Sequence, residues 1–195
     1  EQWGERRIIV EVKSQPVIIV GYHVPSARHE DSLSLQALTN ILGQGRSSRL
    51  NQVLVKDKKK AVAVQSFHGF PGQKFPSLIA FLAVPAMGQS SAECLELIEA
   101  EIEKIKNESV TPKELTKFKR GTKKNLLNQM KSNVNMAALL TSTDVVLGDW
   151  QLMFGRPEKI NAITAEDVKR VANTYLVHKN RTVGEIIPEK RKKKG

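Results

Sequence analysis

A chain of 195 residues, 40% hydrophobic and 26% charged, is long enough to bury a core of its own and is neither disordered nor fibrous. Thirty-one Lys and Arg against twenty Asp and Glu leave a net +11, but the run Lys190 to Lys194 supplies five of these charges. The remaining body, near +6, lacks the aromatic interleaving that stacks bases, so the charge alone names no nucleic-acid partner.

The single cysteine, Cys94, excludes an intramolecular disulfide and a multi-cysteine zinc site. No apolar stretch approaches the roughly 20 residues that span a bilayer. The first residues show neither an initiating Met nor an apolar signal region, which reads as a piece of a longer precursor.

In chain order, residues 7–13 alternate, with Ile8, Val10 and Val12 on one face, and predict a half-buried strand. Residues 17–24 are too continuously apolar to face water on either side, so a central strand closed by Pro25 is expected. Asp31 reads as the N-cap of a helix carrying Leu35, Leu38 and Leu42 and stopped by Gly43. Ser47 or Ser48 then caps a second helix, with Leu50, Val53 and Leu54 inward. Residues 61–70 and 77–84 predict a hairpin across Gly69, Pro71 and Gly72.

Ser90 to Glu93 forms a capping box ahead of the stripe Leu95, Ile98, Ile102 and Ile105. Thr111-Pro112-Lys113-Glu114 is a stronger helix start, because each residue meets a separate need of the first turn; that helix runs to about Met130 despite Gly121. Residues 134–147 predict an apolar helix ending at Gly148, and residues 159–163 a short one. Thr164 to Asp167 opens a helix with Val168, Val171, Ala172, Tyr175 and Leu176 at helical spacing, and residues 182–188 form a last strand. Paired strands with helices gathered between them predict an α+β fold with a largely antiparallel sheet and helices packed against it.

The four histidines, His23, His29, His68 and His178, show no ligand spacing; His29 is followed three positions later by Ser32 and His68 by Pro71, so no H-x-x-E-H motif exists. His68 is either an ordinary strand histidine or a cleft residue that meets a ligand. The segment Gly43 to Leu50 places glycines before a helix start, where backbone N–H groups can meet an anion. It lacks G-K-[ST], however, and a glycine stop followed by a serine cap explains it equally. Cys94 beside an apolar helix face reads as a small buried hydrophobe.

Taken in order, Gly4-Glu5-Arg6-Arg7, Gly21-Tyr22-His23-Val24-Pro25, Ile41-Leu42-Gly43-Gln44-Gly45-Arg46-Ser47-Ser48-Arg49-Leu50, Val110 to Leu115 and Thr164 to Val168 resemble the C-terminal half of an M16 (pitrilysin/insulinase-like) zinc metallopeptidase or processing peptidase. The resemblance implies two homologous halves of the LuxS/MPP-like metallohydrolase fold closing like a clamshell around a peptide. Residues 1–188 would be one noncatalytic domain and residues 189–195 a basic tail.

Zinc is then expected in the missing N-terminal half or in a partner subunit, with no metal ligand and no catalytic residue here. Some such halves supply an Arg and a Tyr to hold substrate; residues 77–89 contain neither. The substrate-contact candidates are Gly43, Gly45, Arg46 and His68. The implied partners are the missing N-terminal half, a homologous M16 subunit in a homo- or heterodimer, and extended peptides, but no specific nucleic acid. By resemblance the protein would be periplasmic or otherwise exported in a bacterium. The alternative is a structural or assembly subunit that kept the fold without proteolysis.

Overall fold

The computed structural model describes residues 2–189, so the Lys190 to Lys194 run lies outside the described residues. Five strands form one sheet: β1 (Arg6–Val12), β2 (Val17–Val24), β3 (Ala61–Phe70), β4 (Ser77–Pro85) and β5 (Arg181–Pro188), in the order β1-β5-β2-β4-β3. Every pairing is antiparallel except β1 with β5, which run parallel. Six α-helices follow their predicted places: α1 (Ser32–Gly43), α2 (Ser91–Asn107), α3 (Pro112–Gln129), α4 (Asn133–Leu147), α5 (Arg156–Ala162) and α6 (Ala165–Tyr175). The fold is α+β with a largely antiparallel sheet, as the sequence predicts.

The core lies between one sheet face and a helical layer. Ile18, Val20, Tyr22 and Val24 of β2 and Ile79, Phe81 and Ala83 of β4 meet Leu35, Leu38 and Leu42 of α1, Ile98, Ile102 and Ile105 of α2, and Val168, Val171 and Ala172 of α6. Each large side chain taken out of water here contributes roughly 1.5–3 kcal/mol. Cys94 belongs to this cluster; its buried thiol donates to the Lys60 carbonyl at 3.5 Å, and burial pushes its pKa up. Reciprocal capping boxes start α2 (Ser90 with Glu93), α3 (Thr111 with Glu114) and α6 (Thr164 with Asp167).

The structure corrects several sequence expectations. β2 is a central strand, but only Ile18, Val20, Tyr22 and Val24 enter the core, while Val17 and Ile19 are partly buried and His23 is exposed, because the helical layer lies on one side of the sheet. β1 is exposed at every residue rather than half-buried, because the helical layer packs on β2, β3 and β4 and stops short of this parallel edge. Asp31 begins α1 but makes no cap bond with its side chain; its carboxylate turns to α6 and accepts from Arg170 Nη2 at 2.6 Å and Tyr175 Oη at 2.7 Å. Burial alone would raise the Asp31 pKa, but those two hydrogen bonds outweigh it and hold the carboxyl below its usual range.

Residues Asn51–Asp57 wind as a π-helix, closed by Lys58 N–H to Val53 C=O at 2.9 Å, so that Leu50 and Leu54 are both buried while Val53 is only partly so. Ser48 does not cap it; the Ser48 hydroxyl donates to Gly45 C=O at 2.7 Å. The predicted apolar helix α4 forms but buries none of its residues, since its apolar side chains are spread around the helix; its main neighbours are the 3-10 turn Trp150–Met153 and α3. Its stop at Gly148, with φ +83°, is where the sequence puts it.

Gly43 is the last residue of α1, and the chain turns after it at Gln44 and at Gly45, whose φ is +82°. What Gly43 supplies is clearance rather than a stop: a Cβ there would stand 2.5 Å from Ser66 Cβ on β3. Ser66 Oγ in turn donates to Thr39 C=O at 3.0 Å, fixing the helix to the strand.

Two predictions follow from this packing. Gly43→Ala should cost about 1–3 kcal/mol, because it overpacks a contact with a hydrogen-bonded strand, whereas Gly121→Ala, with nothing within 4 Å of its Cβ, should stabilise by up to about 1 kcal/mol; thermal denaturation of the two variants checks the contrast.

Glu114 accepts from Arg49 Nε at 2.6 Å and Nη2 at 2.8 Å while also closing the α3 capping box. Burial pushes its pKa up, yet the Arg49 and Thr111 bonds prevail and bring it from 4.5 to about 2. Because the folded pKa lies below the ordinary one, this stabilisation is complete above pH 4.5 and is lost as pH falls toward 2. Glu114→Gln should therefore flatten the acid side of the stability profile in urea titrations between those pH values.

Candidate functional site

Among the described residues, no helix packs on the sheet face opposite the core. Strand register lays two rows of side chains across it: Ile8, Gly184, Ile19, Leu82 and Gln65 in one, and Arg6, Thr182, Gly21, Ala80 and Phe67 in the next. Ile8 is 55% exposed and Val10 45%, whereas their core-facing counterparts on β2 are nearly inaccessible. Small residues sit low in the middle of this face: a Cβ on Gly184 would meet Ile19 Cγ2 at 3.0 Å and one on Gly21 would meet Leu78 Cδ1 at 3.5 Å. The result is an apolar surface with Gln65 at its β3 edge and Arg6 at its β1 edge.

Of the predicted contact residues, Gly43, Gly45 and Arg46 share one loop and His68 stands apart. Gly43 is buried against Ser66, and Gly45 supplies the left-handed turn. Arg46 is exposed; its carbonyl accepts from Gln52 Nε2 at 2.7 Å, and its guanidinium makes no hydrogen bond or ion pair among the described residues. Arg49 is tied to Glu114, and Lys117 Nζ donates to Ser47 Oγ, so this segment is laced to α3.

His68 lies on the helix-facing side of β3, opposite Ile79, while Gln65 lies on the open face; the two polar positions are thus on opposite faces, as the alternation predicts. Burial, with the nearby Arg156 charge, pushes the His68 pKa down to about 4, so its imidazole is neutral near pH 7.

No group of three or more His, Cys, Asp or Glu is placed to hold a metal ion among the described residues. The histidines are committed separately. His23 Nε2 meets Gln2 Oε1 at 3.1 Å, His29 Nδ1 accepts from Asp31 N–H at 3.1 Å, and His178 Nδ1 lies 3.3 Å from Glu5 Oε2. These residues do not fit a catalytic zinc, which needs three convergent protein ligands.

Sequence reasoning missed one feature, a cleft of about 620 Å³ where residues 27–34 face α5 and the start of α6. Arg28, Arg156, Lys159 and Arg170 line it together with Leu33, Leu147 and Leu152. No spacing could have announced it, because Arg28 and Arg156 are brought together only by the packing of the α3–α6 region back onto the segment after β2.

Similarity to known proteins agrees with this geometry. Residues 1–122 match the family model described as the peptidase M16 inactive domain. The chain is 30% identical over 159 residues to the Helicobacter pylori zinc protease PqqE, covering 82% of this chain and 35% of that protein. It superposes on the crystal structure of a protease from Helicobacter pylori with a TM-score of 0.88 at 29% identity, covering 96% of this chain and 45% of that one. It also matches the inactive peptidase domain of a Bordetella parapertussis protein assigned as a zinc protease, with a TM-score of 0.82 at 25% identity, covering 95% of this chain and 98% of that one. The chain thus spans about a third of the curated relative and nearly all of a domain solved by itself. The family-model match over most of its length, with the relatives and the shared fold, establishes that this chain belongs to the peptidase M16 family, as an inactive domain of the kind found in the C-terminal halves of its zinc proteases.

Proposed function

We propose that the chain forms one wall of a peptide chamber in a two-half zinc endopeptidase, with the zinc and its ligands on an N-terminal half. The observation that carries this reading is the open sheet face: a complete core on one side, and on the other Ile8, Val10, Ile19 and Leu82 left without a helical cover. An extended peptide suits such a surface, since a sheet edge such as β3 offers backbone hydrogen bonds that depend little on sequence. Gly45 and Arg46 stand at the loop beyond α1 as contact candidates, Arg46 with its guanidinium uncommitted. The second reading, a non-proteolytic assembly subunit, draws on the lack of Arg and Tyr in residues 77–89.

The two readings part in a reconstitution. Mixed with a zinc-bearing half and any homologous subunit it requires, the chain should confer chelator-sensitive hydrolysis of unstructured peptides, and alone it should cleave nothing and retain well below one zinc after dialysis. Cleavage that proceeds equally well without this chain, or one tightly held zinc per chain, refutes the wall reading.

The two sheet faces should also respond differently to substitution. Leu82→Glu on the open face should lower peptide turnover several-fold in the reconstituted enzyme with little change in melting temperature, whereas Phe81→Ala on the core face should cost about 3–5 kcal/mol of stability; paired kinetics and thermal melts measure both.

A further inference from the structure

From the cleft between residues 27–34 and α5–α6, we infer a subsite for a carboxylate carried by a peptide, either its C-terminus or an Asp or Glu side chain. The inference takes its ligand class from the chamber-wall reading and adds a place and a chemistry to it. It rests on the charge balance of the lining. Arg170 is already paired with Asp31 at 2.6 Å. The other two arginines reach only neutral acceptors: Arg28 Nε donates to Val146 C=O at 3.2 Å and Arg156 Nη2 to Gln36 Oε1 at 3.0 Å. The Lys159 ammonium makes no hydrogen bond or ion pair among the described residues.

The carboxylates of the same lining are largely committed. Asp31 serves Arg170 and Tyr175, and Asp167 Oδ2 accepts from Thr164 N–H and Oγ1 in the α6 capping box. That leaves Arg28, Arg156 and Lys159 against Glu30 alone. Arg156 is half-buried, and a cation taken partly out of water without a carboxylate partner carries a desolvation cost that an incoming anion would relieve. Its guanidinium has N–H donors to spare in the fork geometry that a carboxylate accepts.

The walls choose among anions. Leu33, Leu147 and Leu152 give an apolar surround, which suits a carboxylate on a peptide better than a small hydrated ion. Glu30, Asp31 and Asp167 lie in the same lining and repel a second negative charge, so a monoanionic carboxylate is favoured over a dianionic phosphate.

The test measures binding and does not pass through catalysis. Fluorescence anisotropy with the full chain compares one labelled apolar decapeptide in three forms: free C-terminal acid, C-terminal amide, and the amide with one internal glutamate. At least one charged form should bind about tenfold more tightly than the neutral amide, a preference worth about 1.4 kcal/mol, and added salt should erode it. Whichever charged form gains names the source of the carboxylate. Arg156→Gln and Lys159→Gln should each remove most of the preference while leaving the neutral peptide unaffected. Lys159 is exposed, so that variant keeps the test valid even if the loss of Arg156 disturbs folding, which thermal melts would reveal.

Equal binding of all three peptides overturns the proposal, as does a preference that survives both substitutions or competition by inorganic phosphate stronger than by acetate. Loss of the preference with chain-dependent cleavage intact removes the subsite alone; the reverse result removes the chamber wall alone.

Discussion

A five-stranded sheet with helices on only one face must leave the apolar side chains of its other face uncovered, and the rest of this structure is arranged around that constraint. Every strand has two sides, so the alternation that drives Ile18, Val20 and Tyr22 into the core drives Ile19 and Gly21 the other way. At about 25 cal/mol per Å² of apolar surface, leaving such a face in water forgoes several kcal/mol. The core side is accordingly dense, with Leu35, Leu38, Leu42, Ile79, Phe81 and Ile98 all inaccessible to solvent. A second body laid on the open face would recover what the isolated domain forgoes.

Where apolar cover is missing, ion pairs hold the architecture. Arg181 opens β5, is 3% exposed, and pairs with Glu5 at 2.5 Å and with Glu99 of α2. That cluster fastens the segment leading into β1, a strand that no helix covers, to the helical layer. Arg49 with Glu114 joins the turn after α1 to α3, and Asp31 with Arg170 and Tyr175 joins α1 to α6. Each links elements distant in sequence, and each is partly shielded from water, where breaking one partner costs more than it does at an exposed pair. Tyr22, beneath Arg181, illustrates the same environment: burial is the largest influence and pushes its hydroxyl up to about 12.

The sequence was most legible where one residue has one local job. The capping boxes, the Pro112 start and the Gly148 stop all rest on contacts within a few residues, and all are found as read. It was least legible where tertiary neighbours decide. The pattern Ile8, Val10, Val12 is the pattern of a half-buried strand, but whether anything lies over it depends on how far the helical layer extends. Asp31 has the chemistry of an N-cap and the position of one, yet a cation and a hydroxyl from α6 compete for its carboxylate and win. The apolar content of α4 predicted its helix and said nothing of its burial, because without a stripe there is no face to bury. The cationic cleft assembles residues more than a hundred positions apart and leaves no local trace.

The same distinction explains why family membership could be read from residues that perform no chemistry. In the segment Gly43 to Leu50, Gly43 gives clearance to Ser66, Gly45 makes the left-handed turn, Ser48 closes it, Arg49 pairs with Glu114 and Leu50 enters the core. Thr111, Pro112, Glu114, Thr164 and Asp167 start helices. The motif is a folding signature, so its match reports architecture and is silent about activity. What such a domain can contribute to a peptidase must then come from residues outside the motif or left idle within it. Among the described residues those are the open sheet face, the guanidinium of Arg46 and the cations beside α5 that have no carboxylate partner, groups whose chemistry suits binding rather than reaction. On the chamber-wall proposal, such a domain would leave cleavage to a zinc-bearing half and contribute the holding of substrate.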